Sequence, residues 1–277
     1  MKRNVTLNPT RNNTITTRWV ALIIGFSVNV IGNSLTVVSN EGAEPWTAAA
    51  VNLGRVTGAS IGSFVILFGV INAIFNQIIL SKHKRHQLSC YQKHQRRVKN
   101  LSTPTQRSKE VSQEVAERFN HTFINKFRFI SELLYIFIFG YAIDWTVLIF
   151  EKMGLDKMNA PLRILMSLVG VILFCSAISI YQRANLFMHP NDDTSNLLRF
   201  RFLHGSAFWS QIVDIVPALI ICVVCWPFLH VIYSIGWGTL FSLLFNGVIV
   251  GLSDKWIWPQ LKHNKQKRHV YKYSIWF

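Results

Sequence analysis

Two carboxylates stand inside runs that are otherwise apolar: Asp144, in 133–150, and Asp214, in 207–226. Exposing an acid to lipid costs on the order of 3 kcal/mol, so each should face protein or water, and holding a proton or a cation is the default role. For Asp144 a structural hydrogen bond near the outer interface, where Trp145 would also sit, is the competing reading. Two proline corners add polar groups, Glu44-Pro45-Trp46-Thr47 and His189-Pro190-Asn191-Asp192. Asn29 with Asn33, and Asn72 with Asn76, are spaced one helical turn apart and share a face. They suit either interhelical hydrogen bonding or a polar path. Gln211, beside Asp214, and Thr239, in Gly236-Trp237-Gly238-Thr239, complete the candidate path for a solute or ion.

This set can bind reversibly, but nothing in it makes or breaks bonds. There is no recognisable nucleophile with its base, no H-E-x-x-H and no paired catalytic acids, so an enzyme is not expected. No phosphate-binding loop is present, which argues against ATP-driven transport by this chain alone. His83, His86, Cys90 and His94 would share a face if a helix forms there, but Lys82, Lys84, Arg85 and Lys93 oppose a cation. No metal site or cofactor is expected, and that segment reads as a solvated basic stretch drawn to anionic lipid. Cys222 and Cys225 form a C-x-x-C inside an apolar run without His or carboxylate partners, and read as small packing residues.

The elements that must position these groups are membrane helices. Half of the 277 residues are hydrophobic, and they fall in six long runs, at about 19–38, 62–80, 133–150, 164–181, 207–226 and 231–252. At 1.5 Å per residue each spans roughly 30 Å of hydrocarbon, and closed helices satisfy their backbones there. The fold expected is all-α, a polytopic bundle of six transmembrane helices. The first run is about a full bilayer long and has no small-x-small cleavage site after it, so it reads as a retained helix.

Sliding the sequence by 145 positions sets Gly25 on Gly170, Ser34 on Ser179, Asn40 on Asn185, Pro45 on Pro190 and Leu53 on Leu198. Each copy has an apolar run, a polar corner with proline, a short mixed segment and a second apolar run, the pattern of an internal duplication. Repeat one covers about 19–150 and carries a basic insertion at 81–128; repeat two covers about 162–252, and 253–277 is a basic tail. After each corner comes a segment too short to cross a bilayer, which reads as a broken or interfacial helix. Trp46 is then either an interfacial anchor or part of a binding corner. Three helices per repeat invert the second copy.

Charge placement agrees with this topology. With both termini in the cytoplasm, 25 Lys/Arg lie in cytoplasmic segments and only Arg55, Lys152, Lys157 and Arg163 lie outside. The positive-inside rule therefore accounts for the net charge of +16 without a nucleic-acid partner. Within the insertion, Val111, Val115, Phe119, Phe123, Phe127 and Ile130 form a stripe that predicts an amphipathic helix on the inner leaflet before a turn into the third span. The partners expected are the bilayer, anionic lipid at its cytoplasmic face and an unknown small solute; a homo-oligomer is left open.

Gly25, the Pro45-Trp46 corner, Thr57-Gly58-x-Ser60-x-Gly62, Gly140-x-x-x-Asp144, Pro190-x-Asp192, the acid at Asp214 and Gly236-x-Gly238-Thr239 resemble the YczE/YyaS/YitT-type bacterial membrane proteins. The resemblance covers the chain apart from its tails and insertion, and implies a multi-pass protein of the bacterial cytoplasmic membrane. That family's first corner usually reads Pro-Trp-Asp, whereas here Thr47 takes the acid's place and Glu44 precedes the proline. The function expected is a secondary transporter or permease for a small solute, with Asp144 and Asp214 binding a coupling proton or cation. The alternative is a membrane adaptor or modulator that holds a partner through the basic insertion.

Overall fold

The structure, a computed structural model, describes residues 13–98, 104–184, 186–203 and 207–261. Side chains are described for these residues except 82–126, 196, 199–201, 207, 208 and 211. Among the described residues every regular element is helical: α1 (Ile15–Ser39), α2 (Pro45–Thr57), α3 (Ile61–Val98), α4 (Pro104–Lys152), a 3-10 turn (Leu155–Lys157), α5 (Ala160–Ala184), α6 (Pro190–Arg201), α7 (Ala207–Leu229) and α8 (Trp237–Trp256). Among the described residues, six stretches are long and apolar enough to cross a membrane: Ile15–Ser39, Ile61–Ser81, Phe127–Lys152, Ala160–Ala184, Ile212–Leu229 and Trp237–Trp256.

Local chemistry sets the boundaries. Thr14 caps α1 by accepting from the Thr17 N–H at 3.2 Å, and Asn40 ends it in the left-handed region at φ 54°. Pro45 and Pro190 open α2 and α6, where a missing N–H costs nothing. Gly58, at φ 77°, ends α2.

Two sequence expectations are corrected. The last crossing begins at Trp237 rather than near position 231, because His230 and Ser234 adopt positive φ and turn the chain. The insertion is also not a surface helix that turns into the third span. Both α3 and α4 run without a break past their apolar stretches, α4 as one helix of 49 residues. At 1.5 Å per residue its portion before Phe127 adds roughly 35 Å. The stripe from Val111 to Phe123 lies where only the backbone is described.

The central contact is α1 on α5, closest where Gly32 meets Gly170; a Cβ on either glycine would strike the other's carbonyl. Small residues allow such close approach in membrane bundles. α4 flanks α1 and α8 flanks α5; α2 packs on α3 and α7, and α6 packs on the same two helices. Exchanging α1–α4 for α5–α8 reproduces each of these contacts. The packing of α3 on α4 has no counterpart of similar extent between α7 and α8.

Polarity is inside out relative to a water-soluble protein. Ile23, Leu67, Ile138, Val224 and Leu244 face outward, while Asn29, Asn33, Asn52, Asn72, Asn76 and Arg183 are buried. An apolar belt of this size needs lipid around it.

Candidate functional site

The two proline corners are each held by the other half of the chain. At the first, the Asn40 side-chain carbonyl accepts from the Ser234 N–H at 2.8 Å, and the Ala43 N–H donates to the Ser234 carbonyl at 2.8 Å. Gly238 N–H donates to the Glu41 carbonyl at 3.0 Å, the Thr239 hydroxyl to the Ala43 carbonyl at 2.8 Å, and the Ser167 hydroxyl to the Gly42 carbonyl at 2.7 Å. The glycines of Gly236-x-Gly238 thus admit the backbone of this corner: a Cβ at Gly236 would strike Glu41, and one at Gly238 would strike Gly42 and the Ser167 hydroxyl of α5. Thr239 is a clamp on that corner.

At the second corner, the Asn72 amide donates to the Asn191 side chain at 2.7 Å and the Asn76 amide to the Pro190 carbonyl at 3.0 Å. Thr194 donates to Asn76 in return at 2.9 Å. The Asn72–Asn76 face therefore fixes α6 on α3. His189 accepts from the Asn191 N–H through Nδ1 at 3.3 Å, and burial holds its imidazole below its ordinary pKa.

α2 and α6 start inside the protein, and this brings together acids far apart in sequence. Glu44, immediately before α2, lies within electrostatic reach of Asp192, in the first turn of α6, and of Asp214, in α7; those two also interact. The Tyr181 hydroxyl donates to Asp192 and the Ser195 hydroxyl donates to Asp214 at 3.2 Å. The Glu44 carboxylate has no hydrogen bond or ion pair among the described residues and does not cap α2. Burial first, then the charges of Asp192 and Asp214, holds its carboxyl above the usual carboxylate range. Burial raises Asp192 as well, against the Tyr181 hydrogen bond.

The described cations are engaged elsewhere. Arg128 lies between Glu132 and Asp193, Arg163 pairs with Glu41 at 2.9 Å, and Arg55 stacks over Tyr233 at 4.0 Å. Arg183 donates to the carbonyls of Ile257, Trp258 and Leu261 at 2.8 to 3.0 Å, satisfying the end of α8. Arg18 donates to the Ala184 carbonyl, and Lys152, Lys157 and Lys255 are exposed.

A polar chain runs from the first corner into the bundle. Thr47 donates to Asn33 at 3.3 Å, Asn33 to the Asn29 side chain at 2.8 Å, and Asn29 to the Tyr135 hydroxyl at 3.2 Å. Tyr135 packs against the Tyr181 ring at 5.8 Å, and Tyr181 reaches Asp192. Trp46 faces the bundle. Its ring packs on Phe68 at 5.3 Å, and its buried indole N–H lies near Asp214 without hydrogen-bonding geometry.

Asp144 is in a different place. It accepts from the Gly62 N–H at 2.7 Å and caps the start of α3. Its own helix lies so close at Gly140 and Gly62 that either Cβ would meet the other's backbone. Asp144, held at the start of α3, is not among the groups that act on Asp214, whereas Glu44 and Asp192 are. The side chain of Gln211, and those of His83, His86, Cys90 and His94, fall outside the described side chains.

Three roles were missed in the sequence. Asn52 forms a reciprocal pair with the Tyr233 backbone, donating to its carbonyl at 2.8 Å and accepting from its N–H at 2.9 Å. A lone Asn amid alanines in a short helix was the available signal. The Arg128, Glu132 and Asp193 cluster and the Arg183 cap left none beyond isolated charges.

A family model described as a family of unknown function matches residues 16–92 and 119–255. No curated protein and no solved structure matches the chain. The unmatched 93–118 lie within the basic insertion.

Proposed function

Because the chain belongs to this family of unknown function, DUF6198, and brings three uncompensated carboxylates together between two half-helices, we propose that it is a secondary transporter for a small solute. Glu44, Asp192 and Asp214 are the shared site for a coupling proton or cation. The observation that carries this reading is the absence, among the described residues, of any cation at these three acids. Buried carboxylates without a fixed partner hold protons or recruit a mobile cation.

Two inverted three-helix repeats underlie the mechanism. The reading is supported by the exchange of contacts between halves and by the two proline corners, each opening a helix too short to cross. Sites between such repeats, at broken helices, are exposed alternately to the two sides as one unit rocks on the other. Charge placement supports an orientation with both termini in the cytoplasm and the basic 81–128 segment against anionic lipid, in keeping with a bacterial cytoplasmic membrane. The likeness to YczE/YyaS/YitT-type proteins rests on the quoted motifs and adds no activity.

Proton flux into sealed proteoliposomes, challenged with a panel of small solutes, tests the proposal. Solute-dependent flux that disappears in Asp214→Asn and Glu44→Gln is expected. Silence across the panel, from folded protein, would remove it.

A second reading, a membrane adaptor, is favoured by one observation. α3 and α4 both continue beyond their apolar stretches as unbroken helices, which could present a rigid docking arm. It predicts that deleting 82–126 abolishes function while the acid variants are tolerated.

A further inference from the structure

We propose that Glu132 and Asp193 hold a single proton between them, and that with Arg128 this proton makes a latch fastening α6 to α4. The inference stands apart from the transport site, to which none of the three residues belongs.

Direct contact brings the two acids together. One guanidinium serves both: Arg128 Nε donates to Glu132 Oε1 at 3.3 Å, and its Nη2 meets Asp193 Oδ1. A carboxylate of α4 and one of α6 therefore share a single partner. Both residues are closed to solvent, Glu132 at 0% and Asp193 at 1% exposure. Each keeps one oxygen, Glu132 Oε2 and Asp193 Oδ2, that is buried and accepts no hydrogen bond. The Asn76 amide also acts on Glu132, so the unmet demand is sharpest at Asp193, whose carboxylate has Arg128 alone.

Charge then points to the ligand. Two ionised acids and one guanidinium leave one negative charge where water does not reach, an unfavourable arrangement. A proton removes both faults at once: the cluster becomes neutral, and an unpartnered acceptor becomes an O–H donor. A metal ion would ask for more oxygens, and among the described residues no third acid, His or Cys joins these two in a metal-holding group. The side chain of Arg128 is 34% exposed, which gives the proton a short way to water.

The titratable groups on the neighbouring elements are occupied otherwise. Asp192 of α6 accepts the Tyr181 hydroxyl, His189 accepts the Asn191 N–H, and Asp214 of α7 accepts the Ser195 hydroxyl. On α1, Arg18 donates to the Ala184 carbonyl; α3 presents Asn72 and Asn76, which do not titrate. Asp156 and Lys157 are exposed beyond the opposite end of α4. Since α4 and α6 meet over a short stretch only, the cluster is their chief fastening. Loss of the proton leaves a buried charge that water relieves once α6 parts from α4, so docking of this half-helix depends on proton occupancy.

Infrared spectroscopy of the purified full chain in detergent tests the proton, because a protonated carboxyl is counted by its C=O stretch. At neutral pH, Glu132→Gln and Asp193→Asn should each remove the absorbance of one carboxyl, and the double variant should remove no more, since an acid left alone with Arg128 ionises. Arg128→Gln should add one carboxyl, and Arg128→Lys should leave the native count. Hydrogen exchange tests the latch. With the intrinsic pH dependence divided out, exchange of the α6 amides should rise at least about tenfold as alkaline pH removes the shared band, and Asp193→Asn should show no such step. Should Asp193→Asn fail to melt as the native protein does, Glu132→Gln and Arg128→Lys take its place. No carboxyl lost in either single variant would mean two ionised acids, and losses that add in the double variant would mean two separate protons; both overturn the proposal. Exchange of α6 that ignores the band would refute the latch. A melting temperature raised by sodium over choline chloride, with no carboxyl lost in the variants, would give the site to a metal ion and overturn the proton.

Discussion

Asp144 accepts a backbone N–H at a helix start, while Asp214 accepts the Ser195 hydroxyl, so replacing each with asparagine separates a cap from a titrating group. Asp144→Asn should lower stability by about 1 kcal/mol and leave coupled flux in place, as thermal unfolding and proteoliposome assays would show. Asp214→Asn should abolish the flux with little change in unfolding. Glu44 makes a third case. Its carboxyl is raised in the folded protein by burial, so between the ordinary carboxylate range and its folded value the native state binds more protons than the unfolded one. Stability therefore falls as pH rises through that window. Glu44→Gln should flatten this slope in melting curves taken across it, and an unchanged slope would refute the assignment. Both intramembrane acids were legible in the sequence because a charge in an apolar run is conspicuous. Which one caps a helix was not legible, since it depends on α4 meeting the start of α3.

At the scale of elements, the first corner is a piece of loop clamped between backbones. Gly42 sits at φ 132°, and a Cβ there would also meet the Gly238 and Thr239 backbone. Gly42→Ala should cost about 1–3 kcal/mol or more, read as a lower melting temperature in detergent. Asn52→Ala should cost a similar amount, about 1–3 kcal/mol, because it strands the N–H and carbonyl of Tyr233. Periodicity and length made the six crossing helices visible, and proline with its flanking acids marked where the short ones begin. The role of Gly236 and Gly238 was hidden because glycine spacing looks the same whether a helix or a loop approaches. The continuity of α4 was hidden too: a charged stripe and an apolar run read as two segments, although nothing between them breaks a helix.

For the whole molecule, the contacts that enclose the acids lie outside 93–118, the part that the family match omits. Replacing 93–118 with a short flexible linker should leave unfolding and coupled flux near native values; loss of flux with intact folding would favour the adaptor reading. The missing partnership between α7 and α8 has a mechanical consequence. α7 carries Asp214 and two internal prolines, Pro217 and Pro227, and it leans chiefly on α2 and α6. It hangs like a beam from two short hangers that begin at Glu44 and Asp192, with the Ser195 hydroxyl of one hanger bonded to Asp214 on the beam. On the proposed transport role, neutralising the acids at the tops of both hangers would let the beam tilt without tearing a long helix seam, turning charge at the centre into displacement at the rim.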